Sequence, residues 1–179
     1  MDKFDRRVTV QPASAPGWVV DAVVEGGAEI AEPADATAVV WTNARDAEGL
    51  GRLLAEHPHL DWVQVPFAGI ENFVPYVDDT RTWTCGKGVY AEPVAELALT
   101  LTLAGMRNVA AYSRANGWTG PVGRNLTGAR VTVLGGGGIT ESLLRMLGPF
   151  GCHVTVVRRN VEHMDGADDV VGTENLVDA

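Results

Sequence analysis

Val131-Thr-Val-Leu-Gly135-Gly-Gly137-Gly-Ile139-Thr140 sets four glycines between a β-rich run and a helical one. A turn with so little side chain joins a strand to a helix that packs back on it. A second β-rich run, His153-Val-Thr-Val-Val157, follows after one helix length, near residues 139–147. Strand, crossover helix, strand is the unit from which parallel sheets are built. The first half of the chain alternates in the same way. Strands are predicted over residues 7–10 (RVTV), 38–42 (AVVWT), 60–66 (LDWVQVP) and 82–85. Helices are predicted over about 16–25, closed by Gly26-Gly27, and from an Asp46 cap to about Glu56, just ahead of Pro58. The expected fold class is α/β.

Residues 91–112 read differently. Val94, Leu97, Leu101 and Ala104 mark one helical stripe, and Leu99, Leu103, Met106 and Ala110 mark another. A helix apolar nearly all round is covered on most sides, in a core or in an oligomer interface. Turn material at Asn116-Gly117 and over residues 120–123 separates it from the glycine segment. A boundary near residue 88 gives two expected domains, 1–87 and 88–179. Residues 162–169 are polar, and residues 173–179 (TENLVDA) look like the start of a helix. The second half then offers two strands and one crossover helix, which leaves most of the strands' apolar faces uncovered. The expectation is a fragment of a longer chain.

Charge narrows the function classes. Among 179 residues, 14 Lys and Arg stand against 23 Asp and Glu, a formal net charge of −9. Such a chain repels phosphate backbones and anionic lipid, so neither nucleic acid nor membrane is expected as a partner. Cys85 and Cys152 form no metal-binding spacing, and they suit a reducing compartment. The N-terminal MDKFDRRVTV lacks the apolar stretch of a signal peptide, and the longest apolar stretch, 94–106, is too short to span a bilayer. A soluble, cytoplasmic protein is expected.

The glycine turn points to dinucleotide binding. In G-x-G-x-x-G the first glycine makes the tight turn, the second lets backbone N–H groups approach a pyrophosphate, and the third lets the helix pack closely on the strand. Gly135 and Gly137 fill the first two places, and Thr140 stands in the third. Three roles stay open for Thr140: pushing the helix outward, capping it, or bonding a phosphate. The first helical turn, with Gly138 and Ile139, supplies partial positive charge for an anion. The residue that reads the adenosine ribose is expected about 20 positions beyond the first glycine. Arg158 and Arg159 stand there. An acidic residue accepts from a free 2′-OH; two arginines suit a 2′-phosphate.

A third feature is Val65-Pro-Phe-Ala68-Gly69-Ile70-Glu-Asn-Phe73, a strand end expected to turn into a helix through Ala-Gly. Small residues there leave backbone amides open to a ligand at the carboxyl end of a parallel strand.

Together these segments resemble the D-isomer-specific 2-hydroxyacid dehydrogenases. The resemblance runs through Gly88-Val-Tyr-Ala-Glu-Pro-Val94-Ala95-Glu96 and the helix after it, Ala68-Gly69-Ile70, and residues 108–118 with Leu126-Thr-Gly-Ala-Arg130. It is strongest toward glyoxylate/hydroxypyruvate reductase and phosphoglycerate dehydrogenase-like members. It implies a flavodoxin-like substrate domain over 1–87 and the first part of a Rossmann dinucleotide-binding domain over 88–179. It further implies hydride transfer between a nicotinamide and a small 2-hydroxy or 2-keto acid, with NADP(H) preferred and NAD(H) as the alternative. Ala68, Gly69 and Ile70 would bind substrate, and a homodimer would form through the helix at 91–112. Two departures stand out: Thr140 for the third glycine, and Arg158 where many members carry Asp. The family's catalytic Arg, Glu and His match no position in this chain, and none of His57, His59, His153 or His163 is assigned as catalyst. The chain alone is expected to be inactive. A noncatalytic dinucleotide sensor and a ligand-free dimerising α/β module are the competing readings.

Overall fold

A computed structural model describes residues 6–177. The charged stretch before Arg6 and the last two positions of the expected terminal helix, Asp178 and Ala179, lie outside the described residues. The chain divides into two compact units between Lys87 and Gly88.

The first unit runs β1 (Arg7–Gln11), α1 (Gly17–Glu25), β2 (Glu29–Ile30), β3 (Ala38–Trp41), α2 (Ala47–Glu56), β4 (Trp62–Gln64) and β5 (Thr82–Thr84). Its five strands are all parallel, in the order β2-β1-β3-β4-β5. That is the flavodoxin-like order, 2-1-3-4-5, reached here from the predicted alternation. Val39 pairs with Val63 across β3 and β4. Both are buried with Trp41, Leu50, Leu54, Leu60 and Phe73 in one core. The Asp46 side chain accepts from the Gly49 N–H at 2.8 Å and so starts α2 as predicted. Two details differ from expectation. β2 is a two-residue exposed edge strand without a hydrophobic signal. The strand predicted over 60–66 is regular only over Trp62–Gln64.

The second unit holds α3 (Ala91–Met106), α4 (Val109–Tyr112), β6 (Arg130–Leu134), α5 (Gly138–Leu147), β7 (His153–Val157) and β8 (Asp169–Val171). The helix expected to run unbroken over 91–112 is interrupted at Asn108, whose φ of 54° is left-handed. The cause lies in the loop that follows. The Arg124 N–H takes the Met106 carbonyl at 2.9 Å, and a Cβ on Gly123 would lie 2.4 Å from that oxygen. The loop occupies the place of the next helical turn, and Asn tolerates the reversal.

The sheet has three parallel strands in the order β6-β7-β8, not two. β8 was missed because its three residues follow a polar stretch and begin with Asp169. Within the described part of the helix expected over 173–179, one 3-10 turn forms, Thr173–Asn175. β7 is buried from Val154 to Val157, whereas on β6 only Val131 and Val133 are half-buried. Leu144, Leu147, Val154, Val156 and Met164 form the core, and Leu99, Leu103 and Met106 of α3 pack against it.

Candidate functional site

Gly135 follows β6 with φ at +102°, a conformation only glycine adopts without strain, and its N–H bonds the Val157 carbonyl of β7 at 2.8 Å. Gly137 is extended and precedes α5 with no side-chain cap. The first bond into the helix runs from the Glu141 N–H to the Gly137 carbonyl. The N–H groups of Gly138, Ile139 and Thr140 therefore make no hydrogen bond to described residues. Three such donors at a helix start form an anion-binding end.

The structure gives the Thr140 side chain an inward partner. Its hydroxyl donates to the Gly135 carbonyl at 2.9 Å, and the side chain is buried. That proton is engaged by the Gly135 carbonyl, and α5 has no side-chain cap. Thr140 instead closes the turn from inside.

Arg158 follows β7, and its backbone N–H bonds Val171 of β8 at 2.9 Å. Its side chain crosses Gly136: a Cβ on that glycine would lie 2.7 Å from Cδ and 2.9 Å from Nε. Arg158 is half-buried and Arg159 exposed. Among the described residues, neither guanidinium has an ion pair or a hydrogen bond. The structure thus brings Gly135, Gly137, Gly138, Ile139 and Thr140 together with Arg158. Sequence reasoning passed over Gly136 and Glu141, an exposed carboxylate in the first turn of α5. The signal for Glu141 was its place beside Thr140; Gly136 had none, because its neighbour lies 22 positions away.

In the first unit, Ala68 and Gly69 are exposed and Ile70 is half-buried against the core. Their N–H groups make no hydrogen bond to described residues. Three bonds pin the loop: Gly86 N–H to the Phe67 carbonyl at 3.1 Å, Phe73 N–H to the Ile70 carbonyl at 2.8 Å, and Asn72 Nδ2 to the Ala44 carbonyl at 2.6 Å. Ala44 and Gly86 lie just past the carboxyl ends of β3 and β5, so the loop sits where open parallel sheets bind ligands. The helix expected after Ala-Gly is only a 3-10 turn, Val74–Tyr76. Glu71 folds back beside Gly69, with Oε2 2.9 Å from where a Cβ would stand.

His57 and His59 stack edge to face beyond α2 with centroids 5.7 Å apart. His153 opens β7 at its amino end, with Nε2 3.0 Å from Asp169. His163 pairs with Asp165 at 3.1 Å. Among the described residues no cluster of His, Cys, Asp or Glu could hold a metal ion, and no helix is long and apolar enough to cross a membrane.

No protein-family model matches the chain. An uncharacterized protein in the proB 3′ region of Corynebacterium melassecola is 34% identical over 119 residues, covering 62% of this chain and 39% of that protein. A D-isomer-specific 2-hydroxyacid dehydrogenase family protein from Aeromonas salmonicida superposes with a TM-score of 0.77 at 19% identity, over 96% of this chain and 59% of that one. The D-isomer-specific 2-hydroxyacid dehydrogenase from Xanthobacter autotrophicus, solved with NADPH and MES, gives 0.73 at 19% identity, with the same coverage. The NADPH-dependent glyoxylate/hydroxypyruvate reductase of Sinorhizobium meliloti, solved with NADP and sulfate, gives 0.72 at 20%, over 95% and 57%. This chain has the fold of the D-isomer-specific 2-hydroxyacid dehydrogenases, over somewhat less than three fifths of their length.

Proposed function

We propose that the chain is the N-terminal portion of an NADP(H)-dependent oxidoreductase acting on a small 2-hydroxy or 2-keto acid. The observation that carries this reading is the glycine turn of β6 and α5 with the Arg158 guanidinium beside it, which has no partner among the described residues. The site fits the cofactor in its donors: three open N–H groups for the pyrophosphate, and two arginines for a 2′-phosphate. The cofactor, when bound, supplies the hydride.

The residues of the chain bind and orient. Gly135 and Gly137 shape the turn, and Gly138, Ile139 and Thr140 offer N–H groups to the pyrophosphate. Arg158 and Arg159 take the 2′-phosphate. In the first unit, the amides of Ala68, Gly69 and Ile70 take the substrate carboxylate. The first unit is the substrate domain and the second the dinucleotide domain. None of His57, His59, His153 and His163 is assigned as the acid–base group, and the chain alone does not turn over. The unpaired Cys85 and Cys152 suit a reducing cytoplasm. A homodimer forms through α3.

A noncatalytic dinucleotide sensor built on the same fold is the second reading. Titrating NADPH and NADH into the purified chain tests the binding common to both. NADPH is expected to bind more tightly, and failure of both to bind at millimolar concentration overturns both readings. Glyoxylate or hydroxypyruvate reduction by the natural full-length chain separates enzyme from sensor.

A further inference from the structure

We infer that Gly136 is a specificity-determining position, whose missing side chain seats Arg158 across the glycine turn. The inference rests on the reading of this turn as the dinucleotide site.

The four glycines of the turn are not equivalent. Gly135 has a positive φ and needs glycine for its backbone. Gly136 does not, because its φ lies outside the positive range. What marks Gly136 is space. A Cβ on Gly137 would meet nothing within 4 Å, and one on Gly138 would touch only the Ala91 Cβ at an ordinary 3.6 Å. A Cβ on Gly136 would strike Arg158 at Cδ and Nε and stand 3.2 Å from the Met164 sulfur. Met164 is buried in the core of the unit, so the arginine stem must yield first. Methionine accommodates a shift of a few tenths of an ångström.

The stem of Arg158 therefore lies in a groove that only glycine provides, and its guanidinium carries no partner among the described residues. Such a cation, its stem held against Gly136 of the turn, is pre-organised for an anion, and pre-organisation lowers the ordering cost of binding. Any side chain at 136 lifts the arginine off the turn while leaving the pyrophosphate donors of Gly138, Ile139 and Thr140 in place. Gly136 is thus a positioning residue for charge recognition, not for binding in general.

The test is direct titration of NADPH and NADH into the wild-type chain, Gly136→Ala, Arg158→Ala and the double variant, at low and high salt, with thermal melts alongside. Wild type should favour NADPH by at least about tenfold, an advantage that shrinks as salt rises. Gly136→Ala should lose most of that ratio with NADH affinity unchanged, and should add nothing in the Arg158→Ala background. A merely structural role would weaken both cofactors alike. If Arg158→Ala loses the preference and Gly136→Ala keeps it, Gly136 is no determinant and the cofactor reading stands. Loss of a cooperative melt in Gly136→Ala makes the position structural and overturns the inference too. Equal or absent binding of both cofactors by wild type overturns the cofactor reading itself, and this inference with it.

Discussion

The Thr140 hydroxyl donates to the carbonyl of Gly135 at 2.9 Å, so the residue in the place of the third glycine closes the turn it would be thought to obstruct. Thr140→Val removes that donor at nearly constant shape. We expect a loss of about 0.5–1.5 kcal/mol in stability, read as a lower urea midpoint with unchanged slope, and a smaller loss for Thr140→Ser. NADPH affinity should barely move in either variant. A drop of tenfold or more in Thr140→Val alone would mean that the hydroxyl serves a phosphate after all.

Glu141 stands one residue further along, exposed in the first turn of α5. A carboxylate there stabilises the helix dipole but repels an incoming pyrophosphate. Glu141→Gln should therefore tighten NADPH several-fold at low salt, and the gain should fade at high salt. The same change should cost the helix roughly 0.3–1 kcal/mol. Tighter binding that persists at high salt would rule out a charge effect.

Most of the first unit was legible because its strands are hydrophobic runs bounded by caps and glycines. β1, β3 and the Asp46 cap all follow from local pattern. What escaped is what tertiary context decides. β2 carries only Glu29 and Ile30, and β8 offers only Val170 and Val171 after Asp169, so each is too short for a periodic signal of its own. The break at Asn108 is imposed by Gly123 and Arg124 from a later loop. At the candidate site, glycine spacing located the turn and the arginine pair. The inward hydroxyl of Thr140 and the seat at Gly136 depend on three-dimensional neighbours.

Asp78 offers a pH-dependent check on the first unit. Its carboxylate accepts from the Thr80 hydroxyl at 2.8 Å and from the N–H groups of Thr80 and Arg81 at 3.0 Å, and it pairs with the Arg81 guanidinium. The Thr80 hydroxyl above all, then its N–H and the Arg81 charge, holds the carboxyl below its ordinary 3.8. A depressed folded-state pKa contributes stability that is complete above the unfolded value and lost as pH falls through the folded one. Asp78→Asn should therefore be less stable than wild type at neutral pH, with the gap closing well below pH 3.8. A gap that is constant with pH would show that the charge plays no part.

The two apolar stripes of α3 differ in what covers them. Both apolar stripes of this helix were candidates for a partner surface, one of them carrying Leu99 and Leu103. Those two residues pack with Met106 against the core of their own unit. The other stripe is the open one: Val94 is 39% exposed, Leu97 55% and Leu101 63%. Positions i, i+3 and i+7 share one helix face, so these three form a continuous apolar strip. Three side chains are too few for a stable interface, which needs about 1,000 Å² or more. Trp118 and Val122 of the same unit, 88% and 49% exposed, are further apolar surface for a partner. We therefore expect a homodimer whose separation follows the outward residues. Leu97→Glu with Leu101→Glu should sediment as a monomer and melt near the wild-type temperature. Leu99→Glu with Leu103→Glu should lose the cooperative melt, because each buries an unpaired charge against the core. Wild-type monomers at micromolar concentration, or unfolding by the outward pair, would sink this assignment of the two stripes.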